Sequence, residues 1–312
     1  MRTACGPLKY HLAQSILISY HFVQMPERVS IDRLSAILER FRVQAQLHHS
    51  GALCGINRFD AGDGSGYLHV LRRGRLEVRH PRARDVPRIM HFGEPTVLFY
   101  PRPFTHHFHD PQAEGADFTC ARLIFEGGPQ NPLALALPPL VALPLARVPG
   151  LDQALGLLFA ETDRVRCGQR LLADRLFEIV VIQLLRWLLD HPHEAGVRTG
   201  LITGLSDPRL ARTLTALHEA PGERWPLERM AGIAGMSRTA FATAFRRIVG
   251  QTPADYLGGW RMALAQSRLR EGRPIKILAD ELGYANPSAF SRAFSARTGL
   301  SPRRWLAGTS AA

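Results

Sequence analysis

The chain has 312 residues, 46% of them apolar and 21% charged, a balance that excludes a disordered polymer and gives room for two ordinary domains, each with its own core. A membrane helix is excluded as well. Gln14, Ser15, Ser19 and His21 interrupt the N-terminal apolar run, and Gln183 and Arg186 interrupt the run at 176–189, so neither reaches about eighteen uninterrupted apolar residues.

The net charge of +12 is unevenly shared: residues 207–312 hold 16 Lys+Arg against 8 Asp+Glu, net +8, and residues 1–206 hold 23 against 19, net +4. A basic C-terminal third points to a polyanion, most often nucleic acid. The near-exclusive use of Arg (only Lys9 and Lys276 are lysines) also reflects genome composition. Histidine runs the other way, with 12 of 13 before residue 207 and only His218 after it. Cys5, Cys54, Cys120 and Cys167 form no C-x-x-C pair, which fits reduced cytosolic thiols better than disulfides or a zinc site. Cys54 is the candidate if a thiol senses oxidants, against the commoner reading of spectator cysteines.

In chain order, residues 1–30 show no placeable pattern and are expected to be an extension, disordered or a misassigned start. They lack a small-residue cleavage site, so secretion is not expected. A helical pattern spans Asp32 to Arg40. Phe41, Val43, Ala45 and Leu47 then alternate with polar residues as a half-buried strand. Further strands are expected at 67–71, 75–79, 96–100 and 117–125, separated by turn material such as DAGDGSG. Many short strands at this spacing imply a small antiparallel barrel or sandwich, so the fold class is α+β: that strand region, then helices, then, from the repeat described below, an all-α domain with two helix-turn-helix motifs. The Pro-rich stretch 129–149 is expected to run extended, out of the sheet. Helices are expected at about 151–166 and 170–190. The second carries Leu172, Leu176, Ile179, Val180, Leu184 and Trp187 at helical spacing, as core or as a dimer seam. HPHEAGVRTGLITGLSDP reads as a linker, ending in an N-cap at Ser206 or Asp207 with Pro208 in the first turn.

The last third repeats itself. FATAF at 241–245 and FSRAF at 290–294 align at an offset of 49, as do Gly250 with Gly299 and Pro253 with Pro302; upstream the offset falls to 48, matching Ala231 to Ala279 and Gly235 to Gly283. The added residue falls in a turn, where an insertion costs least. Each copy reads as helix, Gly turn, second helix: Leu227–Ala234 then Arg238–Val249, and Ile275–Leu282 then Pro287–Thr298. Ser237 caps the first of these second helices, and Asn286 with Pro287 starts the other. Thr252, Pro253 and Asp255 open a helix between the copies. Its roughly sixteen residues span about 24 Å, which with the flanking turns suits reading helices about 34 Å apart, one turn of B-DNA.

These residues carry a resemblance. Residues 207–306, with LERMAGIAGMSRTAFATAFRRIVGQTPADYLGGWRMALAQSRLR and PIKILADELGYANPSAFSRAFSARTGLSPRRWL, resemble the DNA-binding domain of the AraC/XylS family of bacterial transcription regulators. Upstream, LERFRVQAQLHHSGALCG, YLHVLRRGRLEVR, FGEPTVLFYPRPFTHHF and NPLALALPPL resemble the cupin-type sensor domain of one subgroup. The implied division is an extension at 1–30, a cupin-like sensor with a helical segment at 31–198, and the DNA-binding domain at 207–306. Gly258-Gly259 in mid-linker departs from the family pattern, at a cost of about 1 kcal/mol per Gly against Ala, and weakens the case for a rigid spacer.

With the Phe pairs inward, the first reading helix presents Arg238, Thr239, Ala242, Thr243, Arg246 and Arg247, and the second presents Asn286, Ser288, Ser291 and Arg292. Arg forks onto guanine, and Ala and Thr methyls suit thymine. Arg292 is the leading candidate for base contact, while Arg246, Arg247 and Arg261 are assigned to phosphate. In the barrel, His69 and His106 with Tyr67 and Phe99 are the candidate effector contacts. A metal cupin needs His-x-His plus Glu on early strands, and only His69 stands there, so no metal or other cofactor is implied. No G-x-S-x-G or phosphate loop is present. The expectation is a non-enzymatic, cytoplasmic, nucleoid-associated regulator that reads the DNA major groove under control of an unknown small-molecule effector. RNA polymerase and a second copy are further candidate partners, and no membrane is. The rival is a cupin metalloenzyme carrying a DNA-binding module.

Overall fold

The computed structural model describes residues 31–110 and 115–309; the expected extension at 1–30 lies outside the described residues. The short helix α1 (Ser35–Leu38) leads into β1 (Val43–Leu53), β2 (Gly55–Phe59), β3 (Gly66–Arg73), β4 (Leu76–Arg79), β5 (Ile89–Phe92), β6 (Thr96–Tyr100), β7 (His106–Asp110) and β8 (Ala116–Phe125). Helix α2 (Pro132–Ala136), strand β9 (Val141–Pro144) and helices α3 (Leu151–Thr162) and α4 (Gln169–Asp190) follow. The C-terminal helices are α5 (Leu201–Ser206), α6 (Pro208–Glu219), α7 (Leu227–Ile233), α8 (Arg238–Val249), α9 (Pro253–Arg270), α10 (Ile275–Glu281), α11 (Pro287–Thr298) and α12 (Pro302–Thr309).

The strands form two antiparallel sheets, ordered β1-β8-β3-β6-β9 and β2-β7-β4-β5, so the expected barrel or sandwich is a two-sheet roll. Successive side chains of β3 point to opposite faces. Tyr67 and Leu71 face the roll interior, while Leu68 and Val70 face the helices. Two cores result. The interior one lies between the sheets. The other starts on the outer face of the larger sheet and continues without a break through α3, α4, α5 and α6 into α7–α11.

Two expectations are overturned here. The Pro-rich stretch does not leave the sheet: β9 pairs with β6 as its edge strand, with Phe99 opposite Val141 and Thr96 opposite Pro144, and an edge is where a strand tolerates proline. Asn131 turns the chain back by capping α2, its side-chain oxygen accepting from the Leu133 and Ala134 amides at 2.9 Å. Residues 201–206 are not an exposed linker either. Helix α5 buries Leu201, Ile202, Thr203, Gly204 and Leu205 against neighbouring helices, including α4, α6 and α8, because LITGL is apolar and small enough to sit between them. Asp207 then caps α6, accepting from the amides of Arg209 and Leu210.

Around this junction the strand half meets the last helices directly. Phe41 packs edge-on against Trp260 of α9, ring centres 5.1 Å apart. Arg40 donates to the Glu219 carbonyl (2.7 Å) and Arg33 to the Leu205 carbonyl (3.1 Å). A polar cleft of about 330 Å³ lies between Glu39, Arg40, Arg42 and Glu126 on one side and Leu264, Ser267, Arg268 and Glu271 of α9 on the other.

Candidate nucleic-acid interface and roll interior

The duplicated sequence folds into duplicated hydrogen bonds. In the first turn the Met236 amide donates to the Ala231 carbonyl (2.9 Å), and in the second the Tyr284 amide donates to that of Ala279 (2.8 Å). Gly235 and Gly283 hold these turns at φ +66 and +74, the left-handed region that glycine enters without penalty. Ser237 Oγ accepts from the Ala240 amide (3.3 Å) and Asn286 Oδ1 from that of Ala289 (2.8 Å), so both reading helices, α8 and α11, have side-chain N-caps. Phe241 and Phe245, like Phe290 and Phe294, are wholly buried, with ring centres 5.5 and 5.8 Å apart.

The opposite faces carry the candidate contacts. Arg238, Thr239, Thr243, Arg246 and Arg247 are exposed on α8 and Ala242 is half-buried; on and before α11, Asn286, Ser288 and Arg292 are exposed and Ser291 is half-buried. Arg238 is tethered to Glu228 of α7 at 2.6 Å, and this bond holds the Glu228 carboxyl below its ordinary range. Arg246, Arg247 and Arg292 make no ion pair among the described residues, so their donors face water.

Arg261 departs from its expected role. It is half-buried, its Nε donating to the Pro221 carbonyl (2.7 Å) and its Nη2 to the Glu223 carbonyl (2.9 Å). Two of its donors are thus committed to carbonyls within the protein, unlike those of Arg246, Arg247 and Arg292. The mid-helix glycines of α9 also find their reason. A Cβ on Gly258 would lie 3.2 Å from Arg297 Nη2 and one on Gly259 2.8 Å from Arg297 Nη1. The Arg297 side chain, from α11, lies across them and donates to the Asp255 carbonyl (2.8 Å). The pair is a seat for a guanidinium, and this contact ties the spacer to α11. At the start of α9, Thr252 Oγ1 accepts from the Asp255 amide (3.2 Å) and its hydroxyl donates to the Asp255 carboxylate (2.7 Å).

In the roll interior His69 and His106 do come together, Nε2 to Nε2 at 2.9 Å. The tautomers follow from their outer partners. His106 donates from Nδ1 to the Phe104 carbonyl (2.7 Å), leaving Nε2 as acceptor. His69 therefore donates from Nε2 and accepts at Nδ1 from the Cys120 thiol (3.0 Å). Burial keeps both imidazoles neutral, His106 down to about 3 and His69 well below its usual value, and pushes the Cys120 thiol up. Tyr67 stacks on His69. Phe99 does not join them: it pairs with Leu68 and faces the helices. Tyr100, one residue on, holds that place, its ring stacked on His106 at 3.9 Å and its hydroxyl donating to His80 Nε2 (2.9 Å). Cys120 is opposite His69 across β3 and β8. Neither Tyr100 nor Cys120 is legible from TVLFY and FTCARLIF alone, because strands covered on both faces show no alternation to mark the interior. Phe59, Phe104 and Phe108 complete a cluster of rings that fills this space.

Comparison with known proteins gives two family matches, cupin over residues 32–190 and helix-turn-helix domain over 230–308. Among similar curated proteins, one of Streptomyces antibioticus described as an AraC-like transcription regulator is 34% identical over 53% of this chain and 55% of its own length. The HTH-type transcriptional regulator AlkR of Acinetobacter baylyi is 34% identical over 56% of this chain and 58% of its own. The chain thus spans little more than half the length of these relatives. Among solved structures, the DNA-binding domain of AdpA in complex with a target DNA is 30% identical over 32% of this chain and 92% of that one, TM-score 0.30. Fatty-acid-bound ToxT of Vibrio cholerae is 13% identical over 85% of this chain and 94% of that one, TM-score 0.37.

Proposed function

Because the chain belongs to the cupin family through residues 32–190 and carries a helix-turn-helix domain over 230–308, we propose that it is an AraC-type, sequence-specific DNA-binding transcription regulator. The observation that carries this reading is the pair of like-capped helices, α8 and α11, each burying a Phe pair and turning Arg, Thr, Ser or Asn outward. Their N-terminal turns enter successive major grooves of double-stranded DNA. Arg292 forks onto guanine, Thr239 and Thr243 offer methyls to thymine, and Arg246 and Arg247 meet phosphate. The working division remains a sensor at 31–198 and a DNA-binding domain at 207–306, acting at the nucleoid in the cytoplasm.

The cupin half is the input. A small-molecule effector that reaches Tyr67, His69 and His106 has to part the ring cluster, and that strain biases how the strand half meets α9. Helix α4 serves both roles its pattern allowed: Leu176, Val180, Leu184 and Trp187 are buried, while Leu172 and Ile179 stay 49% and 44% exposed and form the seam for a second copy. RNA polymerase is the further partner of a DNA-bound dimer. The rival metalloenzyme needs three or four converging ligands, and among the described residues no such group gathers. Stoichiometric iron, nickel or manganese in purified protein supports that rival.

Selection from a pool of random duplexes tests the proposal. A motif with two half-sites about one helical turn apart is expected, with Arg292→Ala losing discrimination at one base position by about 1–3 kcal/mol. Equal binding of all sequences at physiological salt contradicts it.

A further inference from the structure

Beyond the general reading, and resting on it, we infer that the separation of the two reading helices is fixed by a three-way joint centred on Arg261, which makes Arg261, Gly222 and Gly283 determinants of operator spacing. Three segments meet there. Arg261 belongs to α9, the helix between the copies. Pro221 and Glu223, whose carbonyls it holds at 2.7 and 2.9 Å, belong to the turn that leads into the first helix-turn-helix. Tyr284, whose ring centre lies 5.7 Å from the guanidinium, belongs to the turn of the second.

The two turns also touch backbone to backbone. A Cβ on Gly283 would lie 2.0 Å from the Gly222 carbonyl oxygen, and a Cβ on Gly222 would lie 2.3 Å from that of Glu281. Neither clash is with the movable end of a side chain, so any substituent at either glycine pushes the turns apart. Gly283 also sits at φ +74, which a side chain resists independently.

The mechanical consequence follows from closure. Helix α9 alone joins the two copies covalently, and a joint at one helix leaves twist and bend free. Arg261 supplies a second tie across the same gap, and Arg297 a third, from α11 to the Asp255 carbonyl. A bipartite DNA site rewards this arrangement. Adding one base pair between half-sites rotates the second by about a tenth of a turn and shifts it along the axis, so a rigid reader rejects altered spacing and a loose one tolerates it. A fork donating to two carbonyls at once is a task for guanidinium, not ammonium.

The test uses the full chain and the duplex selected above, together with versions carrying one base pair more or fewer between half-sites and a duplex with a single half-site. Wild type is expected to lose about tenfold or more in affinity when the spacing changes, because the second contact no longer forms intramolecularly. Arg261→Ala and Arg261→Lys are expected to bind the half-site like wild type, to lose several-fold on the native spacing, and to show a much smaller penalty for altered spacing; Gly222→Ala moves the same way. Thermal unfolding of each variant shows whether it is folded, and Lys keeps the test open if Ala is not. The inference is overturned if Arg261→Ala weakens every duplex alike with a shallower salt dependence and Lys restores it, the signature of a phosphate contact, or if the spacing penalty is unchanged. Failure of wild type to select any motif would instead remove the functional reading on which this rests.

Discussion

Ile248 and Arg297 occupy the same place in the two helix-turn-helix copies, and they dock on different neighbours. The Ile248 carbonyl accepts from the Gly200 amide (3.0 Å) and the Thr203 hydroxyl (3.1 Å), which fastens the end of α8 to α5. Arg297 instead sends its guanidinium across the glycines of α9. Thus the first unit is bonded to the body that contains the cupin core, whereas the second is held through α9, the joint at Arg261 and α12. Equivalent positions in the two copies thus make different ties, one through a backbone carbonyl to α5 and the other through a guanidinium to α9.

The largest expected effect that sharpens this contrast comes from the buried rings. Phe245→Ala and Phe294→Ala should each cost about 3–5 kcal/mol. Amide exchange should separate them: Phe294→Ala loosens α10–α12 and leaves α4–α6 protected, while Phe245→Ala, beside Tyr256, opens α5 and α6 as well. The same spread in both variants breaks the comparison.

Acid comes next. His218 is buried at the junction, its Nε2 hydrogen-bonded to the Tyr256 hydroxyl, and burial holds it down to about 3. Its folded value lies below the ordinary 6.5, so the unfolded chain binds the extra proton. The neutral ring's contribution to stability is complete above about pH 6.5 and is lost as pH falls towards 3. Each such group contributes a slope of about 1.4 kcal/mol per pH unit. The strand half holds three histidines lowered by burial, His69, His80 and His106, against one at the junction, so between pH 6 and 4 the strand half should destabilise more steeply. His218→Gln should flatten denaturant-measured stability over that range by one group's share.

Smaller effects follow at two glycines. A Cβ at Gly204 would lie 2.8 and 2.9 Å from Leu214 and Val249, so Gly204→Ala should cost about 1–3 kcal/mol through overpacking of α5, α6 and α8. Gly258→Ala meets only the movable end of Arg297 and should cost less than about 1 kcal/mol; thermal melts of the two variants rank them, and the reverse order contradicts the seat. Smallest of all, Glu228→Ala releases Arg238 from an exposed tether. It should raise affinity at the first half-site by less than about fivefold, read by fluorescence anisotropy.

How much of this was legible in the sequence depends on how local its cause is. The bounds of α8 and α11 were, because caps, Phe pairs and terminal glycines act within a few residues. The roll interior was legible only in part. His69 and His106 stand out as rare polar groups, but TVLFY is buried throughout and carries no period to tell Tyr100, which faces the interior, from Phe99, which does not. Strands β2, β5, β7 and β9 escaped because GINRF, IMHF, HHFHD and VALP are short and obtain their order from partners far along the chain. The ties of Arg261 are hidden for the same reason: its partners at 221 and 223 are about forty residues away, and nothing in GGWRMALA points to them.

One consequence concerns anyone who would splice this chain. The segment that joins its halves has two parts, an irregular stretch at 191–200 with exposed residues and the buried helix α5. A limited protease will find its cut in the first and little in the second, and a chimera that exchanges sensors between relatives must carry residues 200–206 along with the reading units that grip them. Cut on the cupin side of Gly200, the graft keeps its seam; cut inside it, the donor and the host each lose a wall.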